Sequence, residues 1–595
     1  MSKADKIINR RRFIQTVGIT GSIMLAGCQG NGGSNNAEGG GGKNENGIFN
    51  RTFHVPSETD WSNVNWNLFN PQTDTTPDQT SWWVYDTPAR FKQGQNEWSP
   101  MIAEDFGIDG NTITLKLRDD YVWHNGDDLT AQDLVTQYRI DKYLEAPMWN
   151  FTEEVNASDD YTVEISVSNV NPDVAWPSFM DRMIYAKKSI YGKFLKELEQ
   201  TDGSDEAINS LQEFQLDEPV GNGPFKMSET TNDAIIFERF EDYAAADNIN
   251  WAKLKATFFP KETGMHQAAI GDQVDAVDHR QFPNNIVNQL PDHWDVIRVP
   301  AFEGSMMAFS PKGEFVGMDV DYGQTLRKAI SYMFDAKQYK SLRAASTTVS
   351  PQCGLCNTAI EDYINDVAGD FEAYGPGPKI DKATQLLKGA GFQKNDGQWY
   401  TPDNKLVNIP FKMTGSWTSS HSVFGNVPEQ LNNFGIQSES VIVEDSEFFG
   451  PVLTDNDFEM ALAGNWGQVG FAHPYFNLQP CIGTVGEPAF WRPDIDKYEV
   501  PMPIGNANGN LQTINVTEKL RTLSKTSKKS KAKKIIKELA WTVNQVRPYM
   551  NSTEKRNQHF ITRDMWSYPE SGNGNLKTNI PFIHLAKTGE MKATN

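Results

Sequence analysis

Residues Thr112 to Asp133 read TITLKLRDDYVWHNGDDLTAQD, and three structural signals follow one another within them. Ile113, Leu115 and Leu117 alternate with polar residues, the period of a strand buried on one face. His124-Asn125-Gly126-Asp127 reads as a turn, with glycine supplying a positive φ. Thr130 then opens a helix. It stands three residues before Asp133 in capping-box spacing, and Leu134, Val135 and Tyr138 form the apolar stripe. Strand, turn and helix in one short stretch predict a mixed α/β chain.

The same alternation recurs outward from this stretch. Ala234 to Phe240 reads as a strand. A helix is predicted from Gly323 to Asp335, with Leu326, Ile330, Met333 and Phe334 at helical spacing. Another runs from Lys382 to Ala390 and closes on Gly391, a natural helix C-terminal position. Residues 525–534 contain six lysines and lead into Ile535, Ile536, Leu539 and Ala540. That run reads as the solvated face of a helix rather than as a polyanion site. No repeat and no long low-complexity stretch breaks the chain after Ile48, so passages between domains are expected in short strands.

The chain has 595 residues, enough for two to four domains. Its 55 Lys+Arg against 77 Asp+Glu give a net charge of −22, which repels phosphate backbones and argues against general nucleic-acid binding. A hydrophobic content of 38% excludes a polytopic membrane protein. Four cysteines are too few for a disulfide scaffold at this length.

The N-terminus reads as an address. Arg10-Arg11-Arg12-Phe13 precedes an apolar run, Ile14 to Ala26, which is too short to span a bilayer but suits a signal peptide. The run ends in Leu25-Ala26-Gly27-Cys28. The paired arginines resemble a twin-arginine signal, and Leu-Ala-Gly-Cys resembles a lipobox, with Cys28 as the lipidated first residue. Residues 28–47 are rich in Gly, Asn and Ser and read as a flexible tether. These readings lead to the expectation of a protein exported by the twin-arginine route and held by lipid at the outer face of a membrane.

Several segments together resemble the extracellular solute-binding proteins of family 5, the dipeptide, oligopeptide and nickel class that serves ABC importers. They are Trp82 to Tyr85 through Pro100 to Glu104, the opening stretch Thr112 to Asp133, Pro219-Val220-Gly221-Asn222-Gly223-Pro224-Phe225, and Leu326 to Tyr332. Asp381 to Gly391 and Asp457 to Trp466 continue the same order, so the resemblance covers about residues 50–570. It implies an α/β, two-lobed, periplasmic-binding-protein-like fold with an extra N-terminal subdomain at about 76–190 and a two-strand hinge. Lobe I would comprise 48–298 plus 555–595 and lobe II 299–554, with crossings near Asp295 to Phe302 and Arg547 to Ile561.

Within those segments the bland readings hold for single residues. Gly221 and Gly223 serve a tight backbone path rather than a phosphate loop, since no GxxxxGK[S/T] follows. His124 reads as a structural hydrogen-bonding residue rather than a metal ligand.

Clefts of this kind combine aromatic faces with a few placed polar groups. The resemblance points to Trp466 first, then Asn465, Trp417, Trp82, Trp83 and Phe448. Trp466→Ala is expected to weaken ligand binding while leaving the free protein's melting nearly unchanged. Where peptide binders of the family carry a carboxylate for the peptide ammonium, this chain has Val469, with Asp455, Asp457 or Glu444 as nearby substitutes. Trp with Asn and Gln would equally suit an oligosaccharide.

Cys353-Gly354-Leu355-Cys356 reads as a local disulfide in an exported protein, with Cys481 left unpaired. No metal, cofactor or catalytic residues are expected, and neither HExxH nor GxSxG occurs. The expected function is thus a monomeric, non-enzymatic binding component of an ABC importer. It would capture an oligopeptide or other small molecule and deliver it to permease subunits driven by an ATPase. A secreted hydrolase and a surface peptide sensor are the alternatives.

Overall fold

The structure is a computed structural model that describes residues 42–71, 76–93, 97–280, 282–342, 348–349, 352–467, 470–485, 491–551 and 553–595. The signal segment, Cys28, most of the tether and Val469 lie outside the described residues.

The chain begins with β1 (Phe49–Ser57), whose burial alternates as the half-buried strand period requires. A hairpin of β2 (Ala89–Lys92) and β3 (Glu97–Pro100) follows. The next segment forms β4 (Ala103–Asp109), β5 (Thr112–Leu117), α1 (Ala131–Tyr143), β6 (Thr152–Asp159), β7 (Thr162–Val167) and α2 (Pro172–Met180). Its four strands pair in the order β4-β5-β7-β6. As the periodicity predicts, Ile113, Leu115 and Leu117 all face the core.

The predicted turn and helix start are both present. Gly126 has φ +87°, and Asp133 Oδ2 accepts from the Thr130 amide at 2.9 Å. Asp133 also accepts from the Trp123 indole at 3.2 Å and from the Lys188 amide at 2.7 Å. It thereby ties the turn and α1 to α3 (Lys188–Thr201).

After α3 the chain returns to β8 (Phe225–Thr230), β9 (Ala234–Arg239) and β10 (Trp251–Phe258). With β1 these form a sheet in the order β1-β10-β9-β8, in which β1 and β10 are parallel. Gly221 and Gly223 lead into β8. A Cβ on either would stand 2.2 Å from Val84 O or 2.7 Å from Trp83 O, so close backbone approach is the reason for glycine at both positions. His124 serves the same junction, its Nε2 lying 2.9 Å from Gly223 O, and burial lowers its pKa to about 4.

Helix α4 (Glu262–Ile270) precedes β11 (Ala276–Arg280) and β12 (Trp294–Pro300). Then come β13 (Gly304–Phe309), α5 (Gly323–Met333), α6 (Ile380–Gly389), β14 (Phe411–Thr414), α7 (Thr418–Phe424), β15 (Ser440–Val443) and β16 (Met460–Trp466). Helices α8 (Val516–Ser524) and α9 (Lys529–Val546), short β17 (Tyr549–Met550), β18 (Arg556–Thr562) and α10 (Pro581–Lys587) complete the path. The lysine-rich run is divided: residues 525–528 connect α8 to α9, and the helix proper starts at Lys529.

A five-stranded sheet has the order β15-β14-β16-β13-β17. Phe309, Leu326, Trp399, Phe411 and Met460 fill one core against it. Phe53, Trp66, Trp83, Trp251 and Phe582 fill another under the β1-β10-β9-β8 sheet. Between them lies the three-stranded sheet β11-β18-β12, sealed by Phe282 stacked 4.1 Å from Phe560. The chain leaves this middle sheet at Pro300 to enter β13 and comes back from β17 into β18. Two adjacent segments therefore connect the β1-β10-β9-β8 body to the five-stranded sheet, and a third core, which includes Ile113, Leu115, Trp466 and Trp541, spans the N-terminal subdomain and the second body.

Candidate ligand-binding site

The two connecting segments run side by side. The Lys555 amide donates to Glu303 O at 2.8 Å, and the Ala301 amide donates to Lys555 O at 3.4 Å. Their side chains pair as well, with Lys555 Nζ 2.7 Å from Glu303 Oε1 and only 12% and 4% of the two side chains exposed. Gly304 opens β13 where a Cβ would lie 1.9 Å from Thr553 O, so no other residue fits without separating the segments.

Strand β13 pairs antiparallel with β16, placing Gly304 opposite Trp466 and Ser305 opposite Asn465. Strands β14 and β15 run parallel to each other, and β14 runs parallel to β16. The C-terminal ends of β14, β15 and β16 and the entry to β13 therefore share one sheet edge. The residues there are Thr414 to Trp417, Glu444 and Asp445, Asn465 and Trp466, and Glu303. Carboxyl ends of neighbouring strands in an α/β sheet are where ligands are received.

At this edge the Asn465 amide donates to Glu303 Oε1 at 3.4 Å. The Trp466 indole donates to Thr553 O at 3.2 Å. Gly467, with φ +79°, turns the chain so that a Cβ there would lie 3.4 Å from Glu303 Cβ. The Gly470 amide donates to Ala301 O at 3.2 Å. The Glu303 side chain thus lies beside the Trp466-Gly467 segment, with its carboxylate against Asn465 and Lys555. Further along the edge, Asp445 Oδ1 accepts from Thr414 Oγ1 and from the Ser416 amide at 3.4 Å. Half-buried Trp417 packs 5.7 Å from Phe449 and 6.0 Å from Phe448. Helix α7, which starts after Trp417, lies against α4 of the other body.

The structure brings together Asn465, Trp466, Trp417 and Phe448 from the sequence-predicted set. Within it Phe448 and Trp466 have no exposed surface and belong to a packed core, a correction to their reading as faces open to ligand; only Trp417 and Asn465 of this group are partly exposed. Trp83 is a correction too: it is 1% exposed and packs edge-to-face with Phe53 and Phe225, inside the core of the other body. Trp82 lies in the same body, beneath the Arg90 guanidinium at 4.7 Å, and does not join the sheet edge. Asp455 and Asp457 precede β16 and so sit at the opposite end of the strand from Asn465, where Asp457 pairs with Lys412 at 3.2 Å. Glu444 is on the correct edge.

Sequence reasoning missed Glu303. Its only local signal is an acidic residue before glycine between two apolar strands, one residue past the segment Asp295 to Phe302 predicted to cross between lobes.

The expected Cys353–Cys356 bridge is a second correction. Both thiols, and that of Cys481, are free and buried. Cys356 Sγ instead accepts from the Ala359 amide at 3.4 Å and reaches Ala472 O at 3.7 Å, which turns it away from a partner three residues earlier. Burial pushes the Cys353 and Cys481 thiols up to about 12. Among the described residues no group of three or more His, Cys, Asp or Glu could hold a metal ion.

A family-wide sequence model described as "Bacterial extracellular solute-binding proteins, family 5 Middle" matches residues 97–482, well over half of the 595-residue chain. Among solved structures, the chain is similar to a periplasmic oligopeptide-binding protein of an ABC transporter from Thermotoga maritima, determined with bound mannohexaose. The TM-score is 0.73 at 16% identity, covering 92% of this chain and 99% of that one. The oligopeptide-binding protein of Bacillus subtilis in complex with a nonapeptide gives 0.65 at 15% identity, with 92% and 99% covered. A Campylobacter jejuni protein in complex with Ni(L-His) gives 0.65 at 16% identity, with 87% and 95% covered. At such identities these likenesses establish the two-lobed fold.

Proposed function

The chain belongs to the bacterial extracellular solute-binding proteins, family 5, and from that premise we propose that it captures an oligopeptide for an ABC importer, with Glu303 receiving the peptide's α-ammonium. Lobe I comprises residues 48–298 and 555–595 and lobe II residues 299–554. Ligand binds between them and favours the closed arrangement through its higher affinity for that state. Lipid on Cys28 and the Gly/Asn-rich tether hold the protein at the outer face of the membrane after twin-arginine export. Membrane permease subunits there read the closed form.

The observation that carries the ligand reading is the buried carboxylate of Glu303 beside Asn465, Trp466 and Gly467. With Val469 where the resemblance implies an acid, the turn after Trp466 brings no carboxylate of its own. Glu303 supplies one from the neighbouring crossing. A carboxylate has about four lone-pair sites, and the peptide ammonium would take its place there beside the Lys555 ammonium and the Asn465 amide.

Native mass spectrometry of protein purified from its own host should release masses that differ by amino-acid residues. A hexose ladder would replace the peptide reading with an oligosaccharide one. In titration calorimetry Glu303→Gln should weaken a free-amine peptide by about tenfold or more and leave its N-acetylated form unchanged. Equal loss for both peptides would assign Glu303 to the hinge alone.

A further inference from the structure

A second concave site lies away from the Glu303 edge and shares no lining residue with it. It is a groove of about 790 Å³ between the β4–β5 turn and the segment before α2 on one side, and the α8–α9 corner on the other. That volume is in the range of small-molecule sites. One wall presents the exposed amides Asn111 and Asn169. The other presents Arg521, Lys525, Lys528 and Lys531, with Glu518 as the one acidic lining residue.

None of those four cations forms an ion pair among the described residues, whereas Lys519 and Lys537 on the same two helices pair with Glu538 and Asp366. Arg521 faces the Asp496 carboxylate, but Lys525, Lys528 and Lys531 have only Glu518 among the lining residues to oppose them, and like charges lining one cavity repel one another. The 18-residue helix α9 adds to the imbalance. Its first turn has no acidic residue and its N-cap, Lys528, makes no side-chain cap hydrogen bond, so lysines stand where the helix dipole favours anions. A multiply charged anion would relieve both conditions.

Against the reading of residues 525–534 as a solvated face only, we propose that this groove binds a phosphate-bearing group, held by Arg521, Lys525, Lys528 and Lys531 with Asn111 and Asn169 opposite. The walls come from the N-terminal subdomain and from the helices beside the five-stranded sheet, which already meet where the Asn171 amide donates to Ser524 O at 3.2 Å. The group could reach the groove as a free anion or as the headgroup of an anionic lipid, and both present the same oxygens.

The test uses the whole mature protein with pyrophosphate in calorimetry at low ionic strength, and co-sedimentation with phosphatidylglycerol against phosphatidylcholine vesicles. Saturable pyrophosphate binding that weakens with salt is expected. The double variant Lys528→Glu/Lys531→Glu should lose it by about tenfold or more. Lys388→Glu/Lys577→Glu, an equal charge change at exposed positions outside the groove, should not. Vesicle binding alone, abolished by the groove variant, would make the lipid headgroup the source. Absence of saturable binding to either probe, or equal loss in both double variants with unchanged melting, would overturn the site.

Discussion

Trp466 donates its indole N–H to a backbone oxygen of the opposite crossing and has no exposed surface. Its removal would open a cavity where the two connecting segments meet. Trp466→Ala should therefore cost the free protein about 3–5 kcal/mol, measurable by urea unfolding without ligand. That is the reverse of the expectation from sequence, which had the free protein's melting nearly unchanged. Trp466→Phe keeps most of the packing and forfeits the hydrogen bond, a loss of about 1 kcal/mol. A near-zero loss for the alanine variant would mean that the crossing does not depend on this ring. The tryptophan itself was legible because it falls in a segment, Asp457 to Trp466, that carries the family resemblance. Its acidic neighbour Glu303 was not, since one of 77 Asp+Glu carries no mark of being buried.

Helix α10 shows how an element is held by one ion pair. Lys587 at its end lies 2.5 Å from Asp86, with neither side chain exposed. It also donates to Trp82 O at 2.9 Å. Asp86 accepts further from Tyr121 at 3.0 Å and Tyr243 at 2.8 Å. The C-terminal helix is thereby joined to the N-terminal half of the chain. Lys587→Met strands a buried carboxylate and should destabilise by about 3–5 kcal/mol. Adding Asp86→Asn should recover part of that, and failure of the second change to recover anything in urea titrations would count against the pair as the anchor. The strand, turn and helix of residues 112–143 needed no such distant partner to be predicted, because their signals lie within a few residues of one another.

Across the whole molecule the two bodies meet at an aromatic contact of Phe91 and Trp98 with Phe471. They meet again at His473, whose Nε2 lies 3.2 Å from Asn171 Nδ2. His473 Nδ1 accepts from the Tyr475 amide at 3.2 Å, a role that protonation abolishes. Burial lowers its pKa from 6.5 to about 4. Between those values the unfolded chain binds a proton that the folded protein does not. The stability His473 contributes is therefore complete above pH 6.5 and is lost as pH falls towards 4. Unfolding free energies at pH 7 and pH 5 should differ by about 2 kcal/mol more in the parent than in His473→Gln. Identical pH slopes would mean that this imidazole titrates freely.

Local signals were enough to give the α/β class, the positions of the central strand, turn and helix unit, and the family. All of these rest on local periodicity, capping residues and ordered short motifs. Tertiary structure alone decided which carboxylate stands beside Trp466, that Trp83 belongs to the core, that Asp455 and Asp457 sit at the far end of their strand, and that Cys356 caps a helix instead of bridging. Periodicity records which face of an element is buried but not what covers it. Glu303 and Asn465 are 162 residues apart in the chain, and only the register of β13 on β16 makes them neighbours.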